Sequence, residues 1–365
     1  MKKQFIIMMT SVLMLVGSGQ VMAETQYTIT DLGTLGGSRS SANAINNNGQ
    51  VVGWSYTTET VTHAYLYDGT AMKDLGTLGG IFSSAFGINN SGQVVGQSYI
   101  TGNPFIAHAF LYDGTTMKDL GTFGGTNSSA WGINNSGQVV GQSYFAGDSA
   151  GHAFLYDGTT MKDLGTLGGS WSNATSINDS SQVVGASHIT GDDTHHAFLY
   201  DGTTMKDLGT LGGTVSTASA INYSGQVVGY SYLTDNFAEH AFLYDGATMK
   251  DLGTLGGTYS IAFGINDSGH VVGHSYITGD STYHAFLYDG DNMIDLNTLL
   301  PTGSGWELVG ASGINDLGQI VGSGLINGET HAFLMTPEPA TLLLLGLGAL
   351  WNLKKIPRTK VPEIL

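Results

Sequence analysis

A histidine followed eleven residues later by an aspartate occurs six times in this chain: His63 and Asp74, His108 and Asp119, His152 and Asp163, His196 and Asp207, His240 and Asp251, His284 and Asp295. An imidazole held by a carboxylate is half the apparatus of nucleophilic catalysis, and a ring of imidazoles would suit a metal ion. Repetition argues against both. A reacting group is needed once, whereas a residue present in every copy of a repeat serves the repeat. The pairs therefore read as hydrogen bonds that satisfy buried strand ends or turns. The other histidines, His188, His195, His270 and His274, lack the spacing of a zinc-binding helix. The acidic runs "GDD" (191–193) and "GDS" (279–281) lack the ordered ligand spacing of a calcium loop and read as solvated turns. Gly-Gly pairs such as Gly79-Gly80 precede no helix that could hold a phosphate, and read as turns between units. No catalytic residue, metal or cofactor is predicted.

What positions these pairs is a repeat. His-Ala-aromatic recurs at His63, His108, His152, His196, His240, His284 and His331, at intervals of 45, 44, 44, 44, 44 and 47 residues. "DLGTLGG" and "INNSGQVVG" recur in the same register, the first from Asp31 and the second from Ile45 in its earliest copy. A fixed period of this length marks one supersecondary unit stacked on itself. Within a unit the apolar runs are short, β-branched or aromatic, and cut by turn residues, so they read as strands. "SSAFGI" is strand a, "NNSG" a turn, "QVVGQSY" strand b, "HAFLY" strand c, "DGTT" a hairpin turn and "TMKDLGTL" strand d. Four antiparallel strands per unit match one propeller blade. The first phrase is a strand d with no strand c before it, and the last is a strand c with no strand d after it. Pairing 27–32 with 331–335 would complete the last unit and leave few open edges. The prediction is an all-β, seven-bladed β-propeller over 24–335, with a β-solenoid as the alternative.

Composition narrows the partners. The body 24–335 carries 6 basic residues against 27 acidic ones, which disfavours nucleic acid and anionic membrane. There is no cysteine, so thiolate chemistry and disulfides are excluded. "MKKQ", the short apolar "FIIMMTSVLMLVG" and "VMA" ending at Ala23 predict a signal peptide over 1–23 and export. After the repeats, "TPEPATLLLLGLGALWNLKK" predicts a break at Pro337-Glu338-Pro339, an apolar helix over 340–353 and a basic stop at Lys354, Lys355 and Arg358.

Two resemblances follow. "HAFLYDGTTMKDLGTLGG" with "INNSGQVVG" resembles the HAF-repeat family of extracellular bacterial proteins, from about residue 27 to 335, and its hairpin is loosely similar to the kelch hairpin. The tail 336–365 resembles a PEP-CTERM sorting signal, although "IPRTKVPEIL" runs on past the basic cluster. That resemblance implies handling by an exosortase-like enzyme, transient attachment to the membrane through the tail, and a destination in the envelope, outer surface or matrix of a Gram-negative bacterium. Neither implies a reaction.

The copies differ mainly in the b–c loop and at the position two past each Gly-Gly. That position holds Arg39, Phe82, Asn127, Trp171, Val215 and Tyr259, and Trp306 enters from an insertion in the last unit. The strand order places this variety on one face, near the mouth of the central channel. Exposed aromatics among Asp, Asn and Ser suit stacking on sugar rings or docking of a protein. The predicted function is binding without catalysis, of an exopolysaccharide or an envelope protein. The alternatives are a structural matrix protein without a ligand, and a polysaccharide-active enzyme using acids such as Asp192, Asp193, Asp235 and Glu239.

Overall fold

The structure, a computed structural model, describes residues 27–338 with the exception of 104 and 235. The expected signal peptide, Pro339, the apolar segment 340–353 and the basic residues Lys354, Lys355 and Arg358 lie outside the described residues. The described chain is β-structure apart from one short 3-10 turn, Leu296–Leu299.

Each repeat forms a four-stranded antiparallel unit, named here by the histidine of its strand c. In the His152 sheet, strand a is Gly124–Ile133, b is Val139–Phe145, c is Gly151–Tyr156 and d is Met161–Asp163, paired in that order. The His63 sheet touches the His108 sheet through one parallel pair, Thr62 with Phe82, and the His240 sheet touches the His284 sheet through Glu239 with Tyr259. The His331 sheet draws its outer strand from the opposite end of the chain. Tyr27–Asp31 pairs antiparallel with Glu329–Pro337, from Tyr27 opposite Pro337 to Asp31 opposite Phe333. This last strand c runs two residues past the expected boundary at 335.

Two strand boundaries differ from the sequence reading. Strand d stops after three residues because the carboxylate of Asp163 accepts the N–H of Gly165 at 2.8 Å and turns the chain. Strand a begins at the Gly-Gly pair, which is therefore not a free turn between units. Gly168 sits at φ +107°, a conformation that glycine adopts without steric cost.

Both faces of every sheet are covered, which explains the unbroken "VV" of strand b in place of the alternation expected of a strand with one wet face. Val183 packs with Phe198 and Tyr200 against Val140 and Ala153 of the preceding sheet, while Val184 packs with Ala197 against Phe242 of the next. The glycine that follows these valines permits the closest approach in the unit. A Cβ on Gly141 would collide with the carbonyl oxygen of Ser129 and the Phe154 ring.

The sheets are bolted together by polar groups that repeat in register. Ala153 N–H donates to Ser172 Oγ of the next sheet at 2.9 Å, and that hydroxyl donates to Gly165 O at 2.6 Å. Farther out, Lys162 Nζ reaches Tyr200 OH of the next sheet at 2.9 Å. Around the central axis runs a relay of buried asparagines. The Nδ2 of Asn46 donates to the carbonyl of Asn89, Asn89 to Asn134, Asn134 to Asn178, Asn178 to Asn222, Asn222 to Asn266, Asn266 to Asn315, and Asn315 back to Asn46.

Candidate functional site

The repeated His-Asp pairs are formed in every sheet. Nδ1 of His152 lies 3.0 Å from Asp163, that of His196 2.8 Å from Asp207, and that of His284 2.6 Å from Asp295. His63, His108 and His240 pair in the same way with Asp74, Asp119 and Asp251. His331, which has no aspartate after it, lies 2.9 Å from Asp31, contributed by the other end of the chain. In six of these pairs the aspartate also accepts the N–H of the glycine two residues on, as Gly76 donates to Asp74 and Gly33 to Asp31 at 2.7 and 2.8 Å; Asn297 replaces the glycine at Asp295. The pairs thus clamp the end of strand d to strand c. They are half-exposed, not buried as the sequence reading had it.

The basic side chains of the body are committed as well. Lys73, Lys118, Lys162, Lys206 and Lys250 each donate to a tyrosine hydroxyl of the next sheet, at 2.6 to 2.9 Å. Where the His284 sheet meets the His331 sheet, Ile294 and Met335 occupy the corresponding positions. Arg39 is therefore the one arginine or lysine of the described residues without such a partner, and it is exposed.

The variable b–c loops fold back over the start of strand a. Asp148, in a left-handed conformation at φ 53°, accepts Thr126 N–H at 2.8 Å and Thr126 Oγ1 at 2.7 Å. Asp192, Asn236 and Asp280 do the same for Ser170, Thr214 and Thr258. These bonds, the backbone one first, hold the Asp148 and Asp192 carboxyls below the usual carboxylate range. The acids named for catalysis do not gather. Asp192 is tied to its own sheet, Asp193 is exposed, Asp235 lies outside the described residues, and Glu239 opens strand c of the following sheet.

The residues two past Gly-Gly lie in seams between neighbouring sheets and not at the channel mouth. The reason is a register shift between Gly79 and Ser83, and its equivalents, which carries the start of strand a outward to strand c of the preceding sheet. The aromatics there are half-buried and in contact with other rings, not freely exposed. Phe82 lies 5.0 Å from the Tyr99 ring, and Trp306 lies 6.2 Å from Phe333. The side-chain oxygen of Asn127 accepts Ala107 N–H of the preceding sheet at 2.9 Å.

Two seams stand out. Between the His152 and His196 sheets, Trp171 packs on His188 and His195 at 5.4 and 6.1 Å between ring centroids. Because Ala150 and Gly151 are small, a cavity of about 450 Å³ remains, walled by Trp171, His188 and His195 on one side and by Tyr144 and Asp148 on the other. Burial, and after it the charges of His188 and His196, hold the His195 pKa down. Between the His240 and His284 sheets the seam is lined by Tyr230, Tyr232, Glu239, Tyr259, Tyr276 and Tyr283. Here burial pushes the Glu239 carboxyl up to about 7.

The channel also carries side chains that the sequence reading passed over. Its wall is formed by the last residues of strand a, including Phe86, Trp131 and Phe263, around a cavity of about 230 Å³. The position two before the constant Ile-Asn holds Asn43, Phe86, Trp131, Thr175, Ser219, Phe263 and Ser312. That variation within an otherwise fixed phrase was the signal. Among the described residues no group of three or more His, Asp or Glu is placed to hold a metal ion, and no helix is long and apolar enough to cross a membrane.

Residues 212–336 match the model of a family described as a protein of unknown function, DUF3466. No curated protein matches the sequence. Among solved structures, the chain is similar to the β-propeller domain of the Trilobed protease from Pyrococcus furiosus, with a TM-score of 0.55, 10% identity, and coverage of 83% of this chain and 95% of that one. That domain is described as having an open velcro topology. A TolB-type protein of Agrobacterium tumefaciens aligns at a TM-score of 0.46 and 13% identity, covering 63% of this chain and 89% of that one. Trypanosoma rangeli sialidase aligns at 0.43 and 10% identity, covering 92% and 63%. With the strand pairing above, the likeness to the Pyrococcus domain identifies the fold as that of a β-propeller.

Proposed function

We propose that this chain is a ring-closed propeller of seven blades, of the HAF-repeat kind, which binds an exopolysaccharide without transforming it. The Asn relay, which passes from repeat to repeat and returns to its start, and the pairing of 27–31 with 329–337 support the ring. The observation that carries the binding reading is the cavity at Trp171, where an indole and two imidazoles face a tyrosine and a carboxylate. An aromatic face with nearby acceptors suits the apolar face and the hydroxyls of a sugar. An enzyme would need acids converging on one point, and Asp192 is spent on holding Ser170. The leader and tail motifs support export to the envelope or matrix and handling of the tail by an exosortase-like enzyme.

The test is retention of the full chain on a glycan array and on the host's exopolysaccharide, with Trp171→Ala and Tyr259→Ala beside the wild type. Binding that falls about tenfold or more in Trp171→Ala while the variant still unfolds cooperatively supports the reading. Binding unchanged in that variant, or no glycan bound at all, overturns it and leaves a partner protein as the better account.

A further inference from the structure

The seam between the His240 and His284 sheets holds a carboxylate that no described residue neutralises. Glu239 opens strand c of its sheet, opposite Tyr232 of strand b and paired with Tyr259 of the next sheet. It is half-buried and has neither a hydrogen bond nor an ion pair among the described residues. The basic groups nearest in sequence are engaged elsewhere. His240 is bound to Asp251 at 2.9 Å, and Lys250 donates to Tyr288 OH at 2.6 Å.

Aromatic rings surround this charge. On the far wall Tyr259 lies 5.6 Å from Tyr276, 5.8 Å from Tyr283 and 5.6 Å from His274, and Tyr276 stacks on Tyr283 at 4.1 Å. On the near wall stand Tyr230 and Tyr232. Burial first, and the charge of Glu239 after it, raise the hydroxyl pKa of Tyr259, and the same two causes act on Tyr230, which places both within electrostatic reach of the carboxylate. His274, the one basic group of the far wall, is kept neutral by burial, its pKa lowered to about 4.

An uncompensated carboxylate among tyrosine faces recognises one chemistry above others, because ring quadrupoles and the carboxylate both attract a weakly hydrated cation. From this arrangement we infer that Glu239, Tyr230, Tyr232 and Tyr259 form a site for an organic ammonium group, such as an amino sugar or a quaternary amine. This site is distinct from the Trp171 cavity, so the exopolysaccharide reading and this inference can fail separately.

The test is calorimetric titration of the full chain with choline, with dimethylbutanol as its uncharged carbon analogue, and with glucosamine against N-acetylglucosamine. We expect each cation to bind about tenfold tighter than its neutral counterpart, and Glu239→Gln, which preserves shape, to remove that difference. Tyr259→Phe should retain binding, and Tyr259→Ala should weaken it. Choline does not titrate, so its affinity should rise between pH 6 and pH 8 as Glu239 ionises, and stay flat in Glu239→Gln. The tighter of the two cations identifies the source of the ammonium group. Equal binding of charged and neutral probes, no binding of either cation, or full choline binding by a folded Glu239→Gln overturns the inference. Trp171→Ala should leave choline binding unchanged.

Discussion

Asn134 in one copy of the repeat and Glu239 in another show how differently its turn end and its loop end are treated. At the turn end, Asn134 donates to Gln138 Oε1 at 2.7 Å and to Asn178 O at 3.2 Å, and its side-chain oxygen accepts Ser136 N–H and Gln138 N–H at 3.1 and 3.0 Å. At the loop end, Glu239 has no partner among the described residues, and Nε2 of His274 is buried without one. Satisfied polar groups lock a structure, whereas unsatisfied ones cost stability and are retained where a ligand supplies the missing partner. The repetition that fixes the turns leaves the seams free to vary without disturbing the sheets.

The contrast can be broken most forcefully at the relay. Asn134→Ala leaves the N–H groups of Ser136 and Gln138 without their acceptor and takes one of two donors each from Gln138 Oε1 and Asn178 O, and should cost about 2 to 3 kcal/mol of unfolding free energy in a denaturant titration. A loss under about 1 kcal/mol would mean that the relay is ornamental.

A smaller effect, of opposite sign, belongs to Glu239. Its folded pKa lies above its unfolded value, so the folded state holds a proton that the unfolded state releases between about 4.5 and about 7. Stability attributable to Glu239 therefore falls as pH rises through that window. Glu239→Gln should be more stable than wild type by about 1 to 2 kcal/mol at pH 8, once the group's partial exposure is allowed for, and indistinguishable at pH 4. His274 works in the other direction. Burial lowers its pKa to about 4, so its contribution rises with pH between about 4 and 6.5. Thermal melts across pH 4 to 8 should show Glu239→Gln rising where wild type levels off. Parallel curves would remove the buried charge from the account.

The smallest difference sharpens what the repeated pairs are for. Asp163→Asn keeps an oxygen for Gly165 N–H and loses the ionised partner of His152. Asp163→Ala loses both. The asparagine variant should cost about 0.5 kcal/mol and the alanine variant about 1 to 1.5 kcal/mol. If the two are equal, the turn bond contributes nothing and the contact with His152 is the whole effect.

The architecture was legible because its signals are local and repeated. Val-Val-Gly, Asp-Gly and Asn-x-x-Gly each state a strand or a turn, and their period groups them into units. Partnerships between units were not legible. Asn134 reads as a turn former, and only the fold shows its amide reaching Asn178, 44 residues on. Lys162 reads as a solvated charge until the next sheet brings Tyr200 to it. At the candidate site the sequence put the variable positions on one phrase, but a register shift that no residue type announces carries Trp171 and Tyr259 into the seams and away from the expected channel mouth. Glu239 entered the sequence reading as a catalytic acid because composition cannot say whether a carboxylate will find itself in water or among tyrosines.

The clasp between the two chain ends has a mechanical consequence. Tyr27 lies opposite Pro337, so the chain enters the first strand and leaves the last at the same edge of the sheet. Tension applied to both ends would meet the hydrogen bonds of this antiparallel pair one after another, like a zipper, and open it at low force. Tension through the C-terminal end alone, with the other slack, passes the load into the body through Glu329–Pro337, a strand flanked on both sides. A molecule tethered by its C-terminal end would keep this sheet intact under drag, whereas one stretched between two supports would lose its outer strand first.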